Sequence, residues 1–307
     1  MNFFDLHCDT ATEAMKINTG LRKNGLQLDM DKWNGESLCQ SYAVFIPDTL
    51  RGEAAWQYFL QCYSYWKEKT AAEKDMVLLR QPAAAEEIWR QGKNACFFAV
   101  EGGAVLAGQK DRVRQLAQCG VRMMTLTWNG ENELASGAGT VGGLKPFGRE
   151  ALRELERFGI VADVSHLNDN SFWDVMQYAQ RPVAASHSNS RRLCGAPRNL
   201  TDDQFRCIAE RGGLVGVNFF TGFLREDSKN AGVEDILRHT EHFLGLGGEN
   251  VLALGSDFDG AEMPHDLPDC GALPYLAKRL TERFGAATAE KICYKNALEF
   301  WRRCDAK

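Results

Sequence analysis

No stretch of this 307-residue sequence stays apolar for the roughly 18 residues that a bilayer crossing requires. The chain enters an apolar strand pattern at once, without the basic and apolar regions of an export signal. These two absences lead to the expectation of a cytoplasmic protein without a membrane anchor. Positive charge is not in excess either: 36 Lys and Arg stand against 41 Asp and Glu, and a net charge of −5 offers no basic face to nucleic acid. Ten cysteines occur (8, 39, 62, 96, 119, 194, 207, 270, 293 and 304), but none form a Cys-x-x-Cys pair. Free, buried thiols are therefore expected rather than disulfides or a zinc knuckle. Low-complexity segments, short tandem repeats and Pro/Ser-rich linkers are missing, so nothing marks a boundary and a single domain over 1–307 is expected. A Gly-x-Ser-x-Gly nucleophile elbow is absent too.

What is present is an alternation. With 44% hydrophobic and 25% charged residues, the composition is that of an ordinary globular protein suited to small-molecule chemistry. Apolar strand candidates occupy 3–7, 41–46, 96–101, 122–127, 160–165, 182–186, 214–218 and 251–256. Between them, apolar residues recur at helical spacing over 53–74, 111–119, 147–158, 172–180, 201–211 and 233–246. Eight strands alternating with helices predict an α/β fold, a (β/α)8 TIM-type barrel. Segments 273–284 and 289–301 follow the last strand and are expected to close the barrel, whereas 20–36 is polar and irregular.

The strand ends carry the chemistry. The first strand delivers His7 and Asp9, two positions apart and so on one face of an extended chain. Later strands end at Glu101, His166, His187 and Asp257. Taken singly, each has a structural reading: an aspartate at a strand end commonly caps the next helix, and an isolated histidine is usually a hydrogen-bonded loop residue. Barrels, however, gather the carboxyl ends of their strands at one mouth. Three histidines and three carboxylates with the same placement form a mixed nitrogen and oxygen donor set suited to zinc, enough for two ions sharing a carboxylate. Cys8, between two ligand candidates, reads as packed beneath them. His239 and His242 read as a solvated helix face beside Arg238 and Glu241. Residues 137–142 fit Gly-x-Gly-x-x-Gly but lack the preceding strand and following helix of a nucleotide cradle, and read as a flexible loop over the active site.

Asp5-Leu6-His7-Cys8-Asp9, Glu101-Gly102-Gly103, Gly143-Leu144-Lys145-Pro146-Phe147-Gly148, Val164-Ser165-His166, Ser186-His187-Ser188, Pro197-Arg198-Asn199-Leu200 and Gly255-Ser256-Asp257-Phe258-Asp259-Gly260 occur in this order. Together they resemble the membrane dipeptidase (renal dipeptidase) family of zinc peptidases over nearly the whole chain. The resemblance implies a barrel of the metallo-dependent hydrolase kind holding two zinc ions, His7 and Asp9 on one, His166 and His187 on the other, with Glu101 bridging both. It also implies proton transfer by Asp257, capture of the substrate's terminal carboxylate by Arg198, small dipeptides as substrates, and tolerance of a C-terminal D-residue. A homodimer is expected from the family and from the commonness of two-fold assemblies.

One position departs from the family. After Thr125-Leu126-Thr127 its members carry a histidine thought to polarise the scissile carbonyl, and this chain has Trp128. An indole N–H donates a hydrogen bond but cannot become a cation. Asn129 is expected to turn away if the strand continues through it. The rival expectations are another two-metal barrel amidohydrolase, acting on a cyclic amide, a lactone or a deaminated base, and a barrel that binds without catalysing. The amidohydrolases usually begin His-x-His and bridge their metals with a modified lysine, unlike His-x-Asp and Glu101 here.

Overall fold

The computed structural model describes residues 1–33 and 37–306, so positions 34–36 of the irregular segment 20–36 lie outside the described residues. The strands are β1 (Phe3–Cys8), β2 (Leu38–Phe45), β3 (Met76–Leu78), β4 (Asn94–Glu101), β5 (Val121–Thr125), β6 (Val161–Asp163), β7 (Ala184–Ala185), β8 (Leu214–Val217) and β9 (Leu252–Leu254). All eight expected strands are present, and every pairing between them is parallel. They form a closed barrel in the order β1-β2-β4-β5-β6-β7-β8-β9, with β9 returning to β1. Strands covered on both faces need apolar residues at nearly every position, and β1 is buried throughout.

The ninth strand, β3, was not expected. Its three residues pair only with 94–96 of β4, while 98–101 of β4 pair with β5. The C-terminal segment also differs from expectation. Strand pairing closes the barrel, since a ring of hydrogen bonds leaves no open edge. The final helix, Asn296–Asp305, covers the amino end of the strands instead. Trp301 packs on Phe97 with ring centroids 5.2 Å apart. Asn296 Nδ2 donates to the Leu252 carbonyl at 2.8 Å, and Arg122, at the start of β5, pairs with Asp305 at 2.7 Å. The carboxyl ends of the strands are left for the site.

His239 is a correction. It is fully buried on the helix Val233–Gly245, on the same side as Ile236 and Phe243, and it is His242 that reaches out to Asp202 at 2.7 Å. His239 Nε2 donates to the Leu224 carbonyl at 2.9 Å, and Nδ1 accepts from the Ser190 amide at 3.0 Å. Burial pulls its imidazole down to about 4, against a smaller upward pull from the Leu224 carbonyl. Above pH 6.5 the ring is neutral in both folded and unfolded chains. Below that, the unfolded chain takes up a proton that the folded chain refuses until about pH 4, so stability falls through this window as pH drops. The expected loss from this residue is about 2 kcal/mol between pH 7 and pH 5. Urea unfolding of metal-free wild type and His239→Gln at both pH values measures it, and parallel pH dependences would rule it out.

Candidate metal centre and active site

Six side chains from five strand ends converge. His7 Nε2 lies 3.6 Å from Asp9 Oδ2, 3.7 Å from Glu101 Oε2 and 3.8 Å from Asp257 Oδ1. Across the mouth, His166 Nε2 lies 2.7 Å from Glu101 Oε1, and His187 Nε2 lies 3.5 Å from the same oxygen. Glu101 thus turns one oxygen to each half. All six are buried. Asp9 stands at the N-cap of the helix Thr10–Lys16 but makes no side-chain capping bond, which removes the structural reading of that residue.

The protonation of the two far histidines follows from their neighbours. Ser186 Oγ gives its single proton to Asp163 Oδ2 at 2.5 Å, so it accepts from His187 Nδ1 at 2.7 Å. Asn129 Oδ1 accepts from His166 Nδ1 at 3.0 Å. Burial holds both rings well below the ordinary histidine range and therefore neutral. Each Nε2 then carries a lone pair, and the two nitrogens face each other at 2.9 Å. Two lone pairs and a carboxylate oxygen at this separation suit a shared cation.

The near half has the opposite imbalance. Burial alone would depress the His7 imidazole, but Glu101, Asp9 and Asp257 outweigh it and hold the ring up at about 10. Burial raises the Glu101 and Asp257 carboxyls, with the neighbouring carboxylates acting in the same direction. His7 Nε2 and Asp9 Oδ1 are buried without a hydrogen-bond partner. Three triads have ligand atoms close enough to hold an ion: His7, Asp9 and Glu101; Glu101, His166 and His187; and His7, His187 and Asp257. The orphaned atoms and the donor chemistry fit a divalent metal.

The expected anion binder sits at the edge of this cluster. Arg198 is 8% exposed, with its guanidinium 5.3 Å from the Phe223 ring, and its Nε has no partner. Burial lowers it to about 10, against the pull of Asp257, Glu101 and Asp163, so it remains cationic at neutral pH. A cavity of about 230 Å³ opens on the centre, walled by Phe45, Trp128, Phe220 and Phe223 and edged by Glu13 and Asp259.

Several contributors were not anticipated. Asn129 turns in because β5 ends at Thr125, two residues short of the expected end, and the chain bends before reaching it. Asn218 donates Nδ2 to Asp257 Oδ2 at 3.0 Å. Asp259, part of a recognised motif without an assigned role, fastens the segment before β2: its oxygens accept from the Gln27 amide and Thr10 Oγ1, each at 2.5 Å. Gly260 is forced by the site, since a Cβ there would stand 2.1 Å from Asp9 Oδ2. The loop 137–142 is tied down rather than loose: Ala138 donates to the His166 carbonyl at 2.8 Å and Gly139 to the Asn129 carbonyl at 2.9 Å. Cys8 is buried and its thiol donates to the Ser41 carbonyl, consistent with a packing role.

The chain is similar to known metallopeptidases in sequence and fold. The sequence profile of the membrane dipeptidase family (peptidase family M19) matches residues 1–307. A metallopeptidase of Rhodobacter sphaeroides, solved with a phosphinate mimic of the dipeptide L-Ala-D-Ala, has a TM-score of 0.92 and 27% identity, covering 99% of both chains. The dipeptidase AC, a metallopeptidase of family M19, has a TM-score of 0.93 and 28% identity over 99% of this chain and 98% of its own. An uncharacterised protein from the pqqA 5′ region of Klebsiella pneumoniae is 35% identical over 70% of this chain and 84% of its own length. An uncharacterised dipeptidase of Schizosaccharomyces pombe is 33% identical over 67% of this chain, which spans about half of that relative (52%). The chain belongs to the membrane dipeptidase family and is a metal-dependent dipeptidase.

Proposed function

We propose that the protein hydrolyses small dipeptides with two zinc ions, including dipeptides with a C-terminal D-residue. The observation that carries this reading is the division of Glu101, whose Oε1 faces His166 and His187 while its Oε2 faces His7. His7 and Asp9 would hold one ion, His166 and His187 the other, and Glu101 would belong to both. When bound, such ions polarise a carbonyl and make water acidic enough to attack it near neutral pH. Asp257 accepts a proton at Oδ1 and returns it to the leaving amine, while Asn218 keeps Oδ2 occupied. Arg198 receives the free carboxylate of the dipeptide through its planar fork. The aromatic walls exclude water from the bond being cut. Tolerance of a D-residue draws support from the L-Ala-D-Ala mimic held by the Rhodobacter sphaeroides neighbour. Ten free cysteines support a reducing compartment such as the cytoplasm, and no helix among the described residues is long and apolar enough to cross a membrane.

The test is amino-acid release from a panel of L-Xaa-L-Xaa and L-Xaa-D-Xaa dipeptides by protein of measured zinc content. Cleavage of free dipeptides, with N-acetylated and C-amidated forms left intact, is expected. Protein with two zinc ions that cleaves none of them would overturn the reading and favour another amide or lactone. Trp128 carries a separate expectation. Its ring packs 5.1 Å from Phe45 and 6.3 Å from His166, on the wall of the cavity. Trp128→His is expected to change turnover by about tenfold or more, because a donor that can become cationic replaces one that cannot. Zinc content is expected to stay constant, and unchanged kinetics would remove position 128 from the reaction path.

A further inference from the structure

Two buried aspartates that contribute no atom to the metal triads are built into the barrel in the same way. Asp163 on β6 pairs in register with Ala184 of β7, and Asp5 on β1 pairs with Leu254 of β9. Each carboxylate reaches the serine two residues further along its neighbour. Asp163 Oδ1 accepts from the Ser186 amide at 2.9 Å and Oδ2 from Ser186 Oγ at 2.5 Å. Asp5 Oδ1 accepts from the Ser256 amide at 2.8 Å and Oδ2 from Ser256 Oγ at 2.5 Å. Each also takes a side-chain bond from the strand on its other side, Thr125 to Asp163 at 2.6 Å and Gln40 to Asp5 at 2.9 Å. The residue after each serine is a site residue, His187 or Asp257.

The clips hold backbone as well as side chain. Asp163 Oδ1 also accepts from the Ser165 amide at 3.0 Å, immediately before His166 at φ 70°. Ser256 immediately precedes Asp257 at φ 64°. Left-handed backbone is strained for a non-glycine residue and persists only where surroundings fix it. On the Asp163 side, the clip also settles a tautomer, since the Ser186 proton goes to Asp163 and Nδ1 of His187 must then carry its own. On the Asp5 side, Ser256 Oγ lies 3.0 Å from the His7 carbonyl, which also receives the Asp257 amide at 3.1 Å.

We propose that Asp163 and Asp5 are paired positioning residues, each acting through one serine: Asp163 through Ser186 on His187, Asp5 through Ser256 on Asp257. The inference rests on the ligand and proton-transfer roles proposed above, and the two clips have different duties. The Asp163 clip governs metal affinity, because it presents the Nε2 lone pair of His187. The Asp5 clip governs turnover, because it orients the proton carrier.

Titration of metal-free protein with Co²⁺, followed by the visible absorption of the bound ion, separates the two. Ser186→Ala is expected to weaken one of two ions per chain by about tenfold to a hundredfold, the usual cost of losing a ligand's outer partner. Ser256→Ala is expected to bind both ions as the wild type does, and to lower kcat by at least about tenfold with KM nearly unchanged. Ser186→Thr and Ser256→Thr, which keep the hydroxyl, are expected to restore most of each loss. Wild-type cobalt binding by Ser186→Ala, or loss of an ion from Ser256→Ala, would overturn the proposal. So would a Ser256→Ala effect confined to KM. If the wild type binds cobalt but cleaves no dipeptide, the proposed reaction and the duty of the Asp5 clip fall together, while the cobalt titration of Ser186→Ala still decides the Asp163 clip.

Discussion

Glu101→Gln is expected to leave the chain folded, with fewer than two ions bound and dipeptide hydrolysis slowed by about a hundredfold or more. Glutamine keeps the shape of the side chain but replaces one anionic oxygen with an amide that donates. Glu101 Oε1 serves His166 at 2.7 Å and Oε2 faces His7 at 3.7 Å, so either orientation of the amide deprives one half of its shared ligand. Removing one member of a buried charged set typically costs 3–5 kcal/mol, which corresponds to roughly a hundredfold to several thousandfold. Atomic emission after gel filtration counts the ions, and dipeptide turnover gives the rate. Two ions per chain with activity within tenfold of wild type would show that the two halves do not share this residue.

Arg198→Met is expected to lower kcat/KM for free dipeptides by about a hundredfold or more while metal content stays constant. Methionine fills similar space beside Phe223 without a charge, which limits the structural cost at a position only 8% exposed. Losing one partner of a buried, hydrogen-bonded charge pair commonly costs 2–5 kcal/mol. The loss belongs to the substrate's carboxylate alone, so the distinguishing measurement uses C-amidated dipeptides. These are poor substrates for wild type by expectation, and Arg198→Met is expected to handle them no worse. An equal loss on free and amidated substrates would mean that Arg198 supports the site without touching the carboxylate.

The sequence made the barrel legible because parallel strands covered on both faces must be continuous apolar runs, and a polar residue of ligand type at the end of such a run stands out. His7, Glu101, His166, His187 and Asp257 all have that form. β3 was hidden because three residues after the polar stretch Glu73-Lys74-Asp75 make too short a run. Asn129 was left open because pattern alone does not say where β5 stops, and the strand end at Thr125 decides which way its side chain turns. The signal for His239 was present in its spacing from Ile236 and Phe243, but the neighbouring Arg238 and Glu241 drew the reading toward solvent. Asp5 and Asp163 also left a trace: an acidic residue inside an apolar strand must find donors when buried. What no pattern in the chain could supply was the partner, because Ser256 and Ser186 are brought to them by strand register.

The seam between β1 and β9 sets an order of events during synthesis. Asp5 and Ser256 are 251 positions apart, so β1 leaves the ribosome long before the strand that completes its second side exists. Bringing such distant segments together costs little at equilibrium, because closure entropy grows only with the logarithm of length, but non-local pairings slow folding. Until β9 is made, the nascent chain carries β1 with one row of backbone groups unpaired, and an open strand edge is a template for other chains. The closure that delivers Asp257 beside His7 also covers that edge. A chain cut short before β9 would therefore lack Asp257 and is expected to aggregate through β1.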